Sequence, residues 1–225
     1  MSKINFKLNW LQIITHIGAL SPLALIVWDY TQGTNAALLI NPFQELTLRT
    51  GKAALITLVL SLACTPANTI FGFRKALTVR KMLGLYAFFY VALHFLIFIV
   101  DNGLFGDSIR LQPIFEATFE KRFAFVGFAA FLILLPLAIT STKGWMKRLG
   151  RNWKRLHKLV YLAGILAVIH YVWLVKSDIR EPLVYGAIVA ILLLFRLSNL
   201  RKWASQSRQR LQKMISPPNQ ESTAS

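Results

Sequence analysis

The chain has 225 residues, of which 55% are hydrophobic and 16% charged, with a mean hydropathy of +0.50 and a formal net charge of +17. Soluble domains carry about 25% charged residues, so a water-soluble globular enzyme is excluded, because it would expose too much apolar surface. The single cysteine, Cys64, excludes an intrachain disulfide scaffold, and what remains is an integral membrane protein of roughly one domain.

A spanning helix needs about 17–25 mostly apolar residues. In chain order the uncharged runs are 8–28, 53–73, 82–100, 123–142, 159–175 and 182–195. The last run is the shortest; Leu197 and Leu200 extend it if Arg196 snorkels to the interface. The runs are about twice as long as barrel strands and do not alternate in polarity. The expected fold is therefore an all-α integral membrane protein, a six-helix transmembrane bundle over residues 1–204. Pro22, Pro66 and Pro136 fall inside spans, where bundles tolerate them. Neither a cleavable signal nor an internal repeat is evident. Residues 205–225 read as a polar, largely disordered tail.

Counting charges sets the orientation. With the N-terminus in the cytoplasm, inside segments hold 19 of the 26 Lys and Arg, whereas 8 of the 9 acids lie outside. That asymmetry predicts N-in and C-in. It also accounts for the net charge without nucleic acid: the cations anchor topology and meet anionic lipid heads. The loop 143–158 (KGWMKRLGRNWKRLHK) is the most basic. It is either a topology signal alone or a phosphate site, of a flavin or other nucleotide, using Arg148, Arg151, Lys154 and Arg155.

Four histidines are present. An intramembrane histidine is a functional hypothesis by default, against the alternative of a hydrogen bond between helices. His94 follows the boundary cation Lys81 by nearly the same stretch of chain as His170 follows Lys158. The third and fifth spans run parallel, so both imidazoles sit roughly 18–20 Å from the inner boundary. Two imidazoles at one depth can ligate one metal from opposite sides. The membrane cofactor that wants this is a haem b, with His94 and His170 as axial ligands of its iron. Gly164, Ala163 and Ala167 would let a flat ring approach the fifth span. His157 precedes His170 on the same span and lies about 220° round an ideal helix from it, so it cannot aim at the same iron. It is either an interfacial histidine or a ligand of a second haem, or it touches a cofactor phosphate or propionate. His16, in the inner half of the first span, is either a polar interhelical contact or part of a quinone or second-cofactor pocket. P-loop, G-x-G-x-x-G, H-E-x-x-H and C-x-x-C motifs are absent from the sequence.

The stretch RKMLGLYAFFYVALHFLIFIVDN (80–102) resembles the third helix of the ferric-reductase-like transmembrane superfamily. Within that superfamily, TSTKGWMKRLGRNWKRLHKLVYLAGILAVIHYVWLVK (140–176) and WLQIITHIGALSPL near the start resemble the MsrQ family, over essentially residues 8–200. The resemblance implies a subunit of the bacterial inner membrane that binds haem b, one or two, at His94, His157 and His170, together with FMN. It implies electrons taken from the quinone pool or a cytoplasmic flavin reductase. They would pass to a periplasmic molybdopterin enzyme that reduces methionine sulfoxide in oxidised proteins. Arg80 stands where the wider superfamily has a further histidine, which puts a second bis-histidine haem in doubt. No dehydrogenase domain lies within the 225 residues, so the donor is expected to be another molecule. Two rival readings stay open: a free-standing membrane ferric or quinone reductase of the same fold, and a cofactor-free transporter or assembly protein.

Overall fold

The computed structural model describes residues 9–105, 108–175, 177–197, 200 and 206. The tail expected from residue 205 lies outside the described residues apart from Gln206, as do Lys3 and Lys7. The elements are α1 (Trp10–Gln32), α2 (Ala36–Ile40), α3 (Pro42–Phe71), α4 (Ala76–Gly103), β1 (Leu104–Phe105), β2 (Ser108–Ile109), α5 (Leu111–Phe119), α6 (Arg122–Ile139), α7 (Lys143–Leu149), α8 (Arg151–Leu156), α9 (Leu159–Leu174) and α10 (Arg180–Leu194). The strands form one antiparallel hairpin with Leu104 opposite Ile109.

Five segments are long and apolar enough to cross a membrane: α1, α3, α4, α6, and α8 with α9 taken together as Arg151–Leu174. The expected sixth, α10, has 15 residues, about 22 Å against a hydrocarbon core of about 30 Å. Large apolar side chains face outward as they do where lipid is the solvent: on α1, Ile17 is 65% and Trp28 60% exposed.

Helix ends follow local chemistry. Asn9 caps α1, and the Gln12 side chain accepts from the Asn9 N–H at 2.9 Å. Pro42 occupies the first turn of α3, and Gly72 ends it in the left-handed conformation (φ 71°), which frees the chain to turn into α4. α3 begins well before the uncharged run does, because its extra charges find partners. Arg49 meets Asp29 at 2.6 Å and Glu45 at 2.8 Å, and Lys52 meets Glu181 at 2.5 Å.

Three internal prolines, Pro22, Pro66 and Pro136, remove helical donors, and for the first two the structure supplies a replacement. Pro22 cannot donate to the Gly18 carbonyl; Ser21 Oγ does so at 2.9 Å. Pro66 cannot donate to the Leu62 carbonyl; Arg196 Nη2 does so at 2.9 Å, while its Nη1 donates to the Tyr161 hydroxyl at 3.1 Å. Arg196 therefore points into the bundle, not outward to the interface as expected.

The core is two helical hairpins, α3 packed along α4 and α6 along α9. They repeat at one constant sequence offset. Gly51, Ala54, Leu58, Ala87 and His94 in the first correspond to Gly127, Ala130, Leu134, Ala163 and His170 in the second. Both alanine pairs and the leucine pair are buried. The sequence shows no evident repeat; the likeness of the two hairpins emerges from their packing. A handful of identities is faint in one sequence, and some of them, such as Leu83 with the exposed Leu159, are not packing positions.

Candidate cofactor site

Each hairpin presents one histidine from its second helix to the backbone of its first. His94 Nδ1, on α4, lies 2.9 Å from the Thr47 carbonyl oxygen of α3. His170 Nδ1, on α9, lies 2.7 Å from the Phe123 carbonyl oxygen of α6. A carbonyl can only accept, so each Nδ1 carries the proton and donates, leaving the Nε2 lone pair available. A ring N–H held by a carbonyl is the usual support of a metal-ligating histidine. Donor and acceptor are separated by the same stretch of chain in both hairpins, so the repeat extends to the site itself.

The two imidazole centroids are 6.1 Å apart with ring planes at 88°. Metal–imidazole bonds of about 2.0–2.1 Å, plus roughly 1.1 Å from each nitrogen to its ring centre, hold two trans imidazoles roughly 6.3 Å apart across one metal. The observed spacing fits. Both histidines line one cavity of about 510 Å³ between α3, α4, α6 and α9, with Thr118 of α5 and Glu181 of α10 also on its wall, within the range of ligand sites. Most of the lining is apolar, including Leu55, Leu58, Phe95, Phe128, Phe131 and Leu134, whereas Glu45, Arg49, Lys52 and Glu181 line its charged part. No group of three or more His, Cys, Asp or Glu that could hold a metal exists among the described residues. A porphyrin iron needs only two ligands from the protein, the number this imidazole pair offers. The residues present fit such a group.

The sequence reading missed Thr47, Phe123, Gly51 and Gly127. The available signal was a glycine standing equally far before each histidine, Gly51 before His94 and Gly127 before His170.

The other predicted site residues lie elsewhere. His157, at the turn between α8 and α9, does not line the cavity. Its Nδ1 donates to the Trp153 carbonyl at 3.1 Å, its ring stacks on Trp153 at 4.0 Å, and its Nε2 is buried without a hydrogen-bond partner. Arg148, Arg151, Lys154 and Arg155 are on α7 and α8, and none of the four lines the cavity. Arg148 lies over the Trp145 ring at 5.2 Å. His16 Nδ1 and the Tyr86 hydroxyl are 2.6 Å apart, joining α1 to α4, as the interhelical reading expects.

Comparison with known proteins places this geometry in a family. The model for "Ferric reductase like transmembrane component" matches residues 50–168. Relatives named protein-methionine-sulfoxide reductase heme-binding subunit MsrQ align over most of both chains. One from Xanthomonas euvesicatoria is 45% identical over 88% of this chain and 90% of its own length. One from Xanthomonas axonopodis is 43% identical over 97% and 98%. One from Deinococcus radiodurans is 43% identical over 89% and 96%. The chain belongs to the MsrQ family. The matched region runs from Thr50 to Val168, so it takes in His94, Gly51, Phe123 and Gly127 but stops short of Thr47 and His170. No solved structure matches the chain.

Proposed function

We propose that the chain holds a haem b between His94 and His170. In this reading it carries electrons to a periplasmic molybdopterin methionine-sulfoxide reductase from membrane quinol or a cytoplasmic flavin reductase. The observation that carries the reading is the imidazole pair, 6.1 Å apart, in one apolar cavity, with both Nδ1 protons committed to carbonyls. When bound, the haem supplies one-electron iron chemistry.

The residues of the chain do the rest. His94 and His170 offer their Nε2 lone pairs, and the Thr47 and Phe123 carbonyls hold the rings in that tautomer. Phe95, Phe128 and Phe131 keep water from the site, which helps set its potential through burial. With N-in and C-in orientation, the end of the cavity near Lys52 and Glu181 faces the periplasm and the partner enzyme. The cations Arg148, Arg151, Lys154 and Arg155 would then face the cytoplasm, where they suit an FMN phosphate. His157, half-buried beside Trp153 with the Leu137 carbonyl also near its ring, would serve as ligand of a second group at that level only by turning its Nε2 to it. Crossing of the inner membrane by α10 as a sixth span completes the arrangement.

The test is a reduced-minus-oxidised visible spectrum of the purified, haem-supplied protein. The wild type is expected to show the resolved bands of a low-spin bis-histidine haem, and His94→Ala and His170→Ala to lose them. A wild type that stays colourless, or a His94→Ala variant with unchanged bands, would defeat the reading.

A further inference from the structure

Gly51 and Gly127 occupy equivalent places in the two hairpins, and each lies against a histidine ring. A Cβ built on Gly51 would meet His94 Nδ1 and Cε1 at 3.1 Å; one on Gly127 would meet His170 Nδ1 at 2.7 Å and Cε1 at 2.9 Å. No other glycine among the described residues meets a ring: Gly18 meets nothing within 4 Å, Gly164 meets Leu62 Cδ1 at 3.4 Å, Gly186 meets Val168 Cγ1 at 3.2 Å, and Gly103, at the end of α4, packs tightly on Ile114.

The reason lies in the hydrogen bond. Thr47 is four residues before Gly51, and Phe123 four before Gly127, so each carbonyl points along the helix toward the glycine's own N–H. A carbonyl has two lone pairs. The imidazole Nδ1 can reach the second only by lying flat over the turn the glycine occupies. Any side chain there would stand between ring and carbonyl. Glycine inside a helix costs about 1 kcal/mol relative to alanine, and both hairpins carry it at this one position.

We propose that Gly51 and Gly127 are positioning residues that seat the two imidazoles, fixing the crossed 88° arrangement of their planes and the Nδ1–H bond that tunes them. This rests on the haem reading above and goes beyond it, since it assigns the electronic state of the bound iron to two residues that never touch it. Crossed imidazole planes leave two iron d-orbitals nearly degenerate. The ferric protein should then give a strongly anisotropic low-spin resonance with one large principal g value, where parallel planes give a rhombic set. Loss of an Nδ1–H bond makes the imidazole a weaker donor, stabilises the ferric state less and raises the potential.

The experiment is electron paramagnetic resonance and a redox titration of the full-length, haem-loaded protein in detergent. The set comprises wild type, Gly51→Ala, Gly127→Ala and the control Gly18→Ala, whose Cβ meets nothing within 4 Å, each with haem retention measured by gel filtration. The wild type should give the large-g signal. Gly51→Ala, where the ring must yield only a few tenths of an ångström, should keep its haem but show an altered g spread and a higher potential. Gly127→Ala, with the closer clash, should lose most of the low-spin signal and hold haem on the order of 10-fold more weakly. Gly18→Ala should match wild type. A rhombic wild-type signal, or a Gly51→Ala spectrum and potential identical to wild type, would overturn the proposal while leaving the haem reading intact. Absence of haem bands in the wild type would overturn that reading itself.

Discussion

Three of the four histidines make the same kind of bond and differ in where the second nitrogen is left. For His94, His170 and His157 a backbone carbonyl accepts a hydrogen bond from Nδ1–H. Only the first two share a cavity. His157→Ala should therefore keep the main low-spin bands and lose at most a separate component, measured in the same reduced-minus-oxidised spectrum; complete loss would mean that His157 belongs to the principal site. His16 is different, because its partner is a side chain on another helix. Membrane hydrogen bonds of this type average about 0.6 kcal/mol. Tyr86→Phe should thus lower the thermal midpoint only slightly and leave the haem bands unchanged, as read by a melting curve beside the spectrum. The histidine pair was legible in the sequence because depth can be counted from boundary charges. Its supports, Thr47 and Phe123, were not, because a backbone carbonyl leaves no mark on residue type.

At the scale of elements, the long helices follow the apolar runs, and their ends follow partners that a run length does not reveal. α3 reaches back to Pro42 because Glu45, Arg49 and Lys52 are all paired. Arg196 holds α10 to α3 and α9 by filling the acceptor that Pro66 leaves bare, so an inward arginine replaces the expected snorkelling one. A hydrogen bond from a charged donor is worth roughly 1.5–3 kcal/mol. Arg196→Leu should destabilise by about that amount. In a Pro66→Ala background the restored N–H can satisfy Leu62, and the same change should cause a smaller loss. Thermal unfolding of the four proteins in one detergent measures the coupling. Equal losses in both backgrounds would show that the arginine acts only through Tyr161 or packing.

On the scale of the whole molecule, the two hairpins repeat in parallel, which is why His94 and His170, far apart in the chain, meet at one level. Parallel repetition requires α4 and α9 to enter from the same side, and the excess of Lys and Arg argues that this side is the cytoplasm. The bundle was legible from hydropathy and the depth match from charge; the likeness of the hairpins was not, since few residues match at their offset and pairs such as Ala87 and Ala163 stand out only once their burial is seen. Orientation can be tested directly because Cys64 is the sole cysteine and is buried. The wild type should stay unlabelled by a membrane-impermeant maleimide. Gln112→Cys on α5 and Lys147→Cys on α7 replace exposed residues on opposite sides of the expected topology. In intact spheroplasts Gln112→Cys should label and Lys147→Cys should not; after permeabilisation both should. The reverse pattern would turn the molecule over, placing the cavity end that carries Lys52 and Glu181 in the cytoplasm, and would remove the route to a periplasmic acceptor even if every haem measurement succeeded.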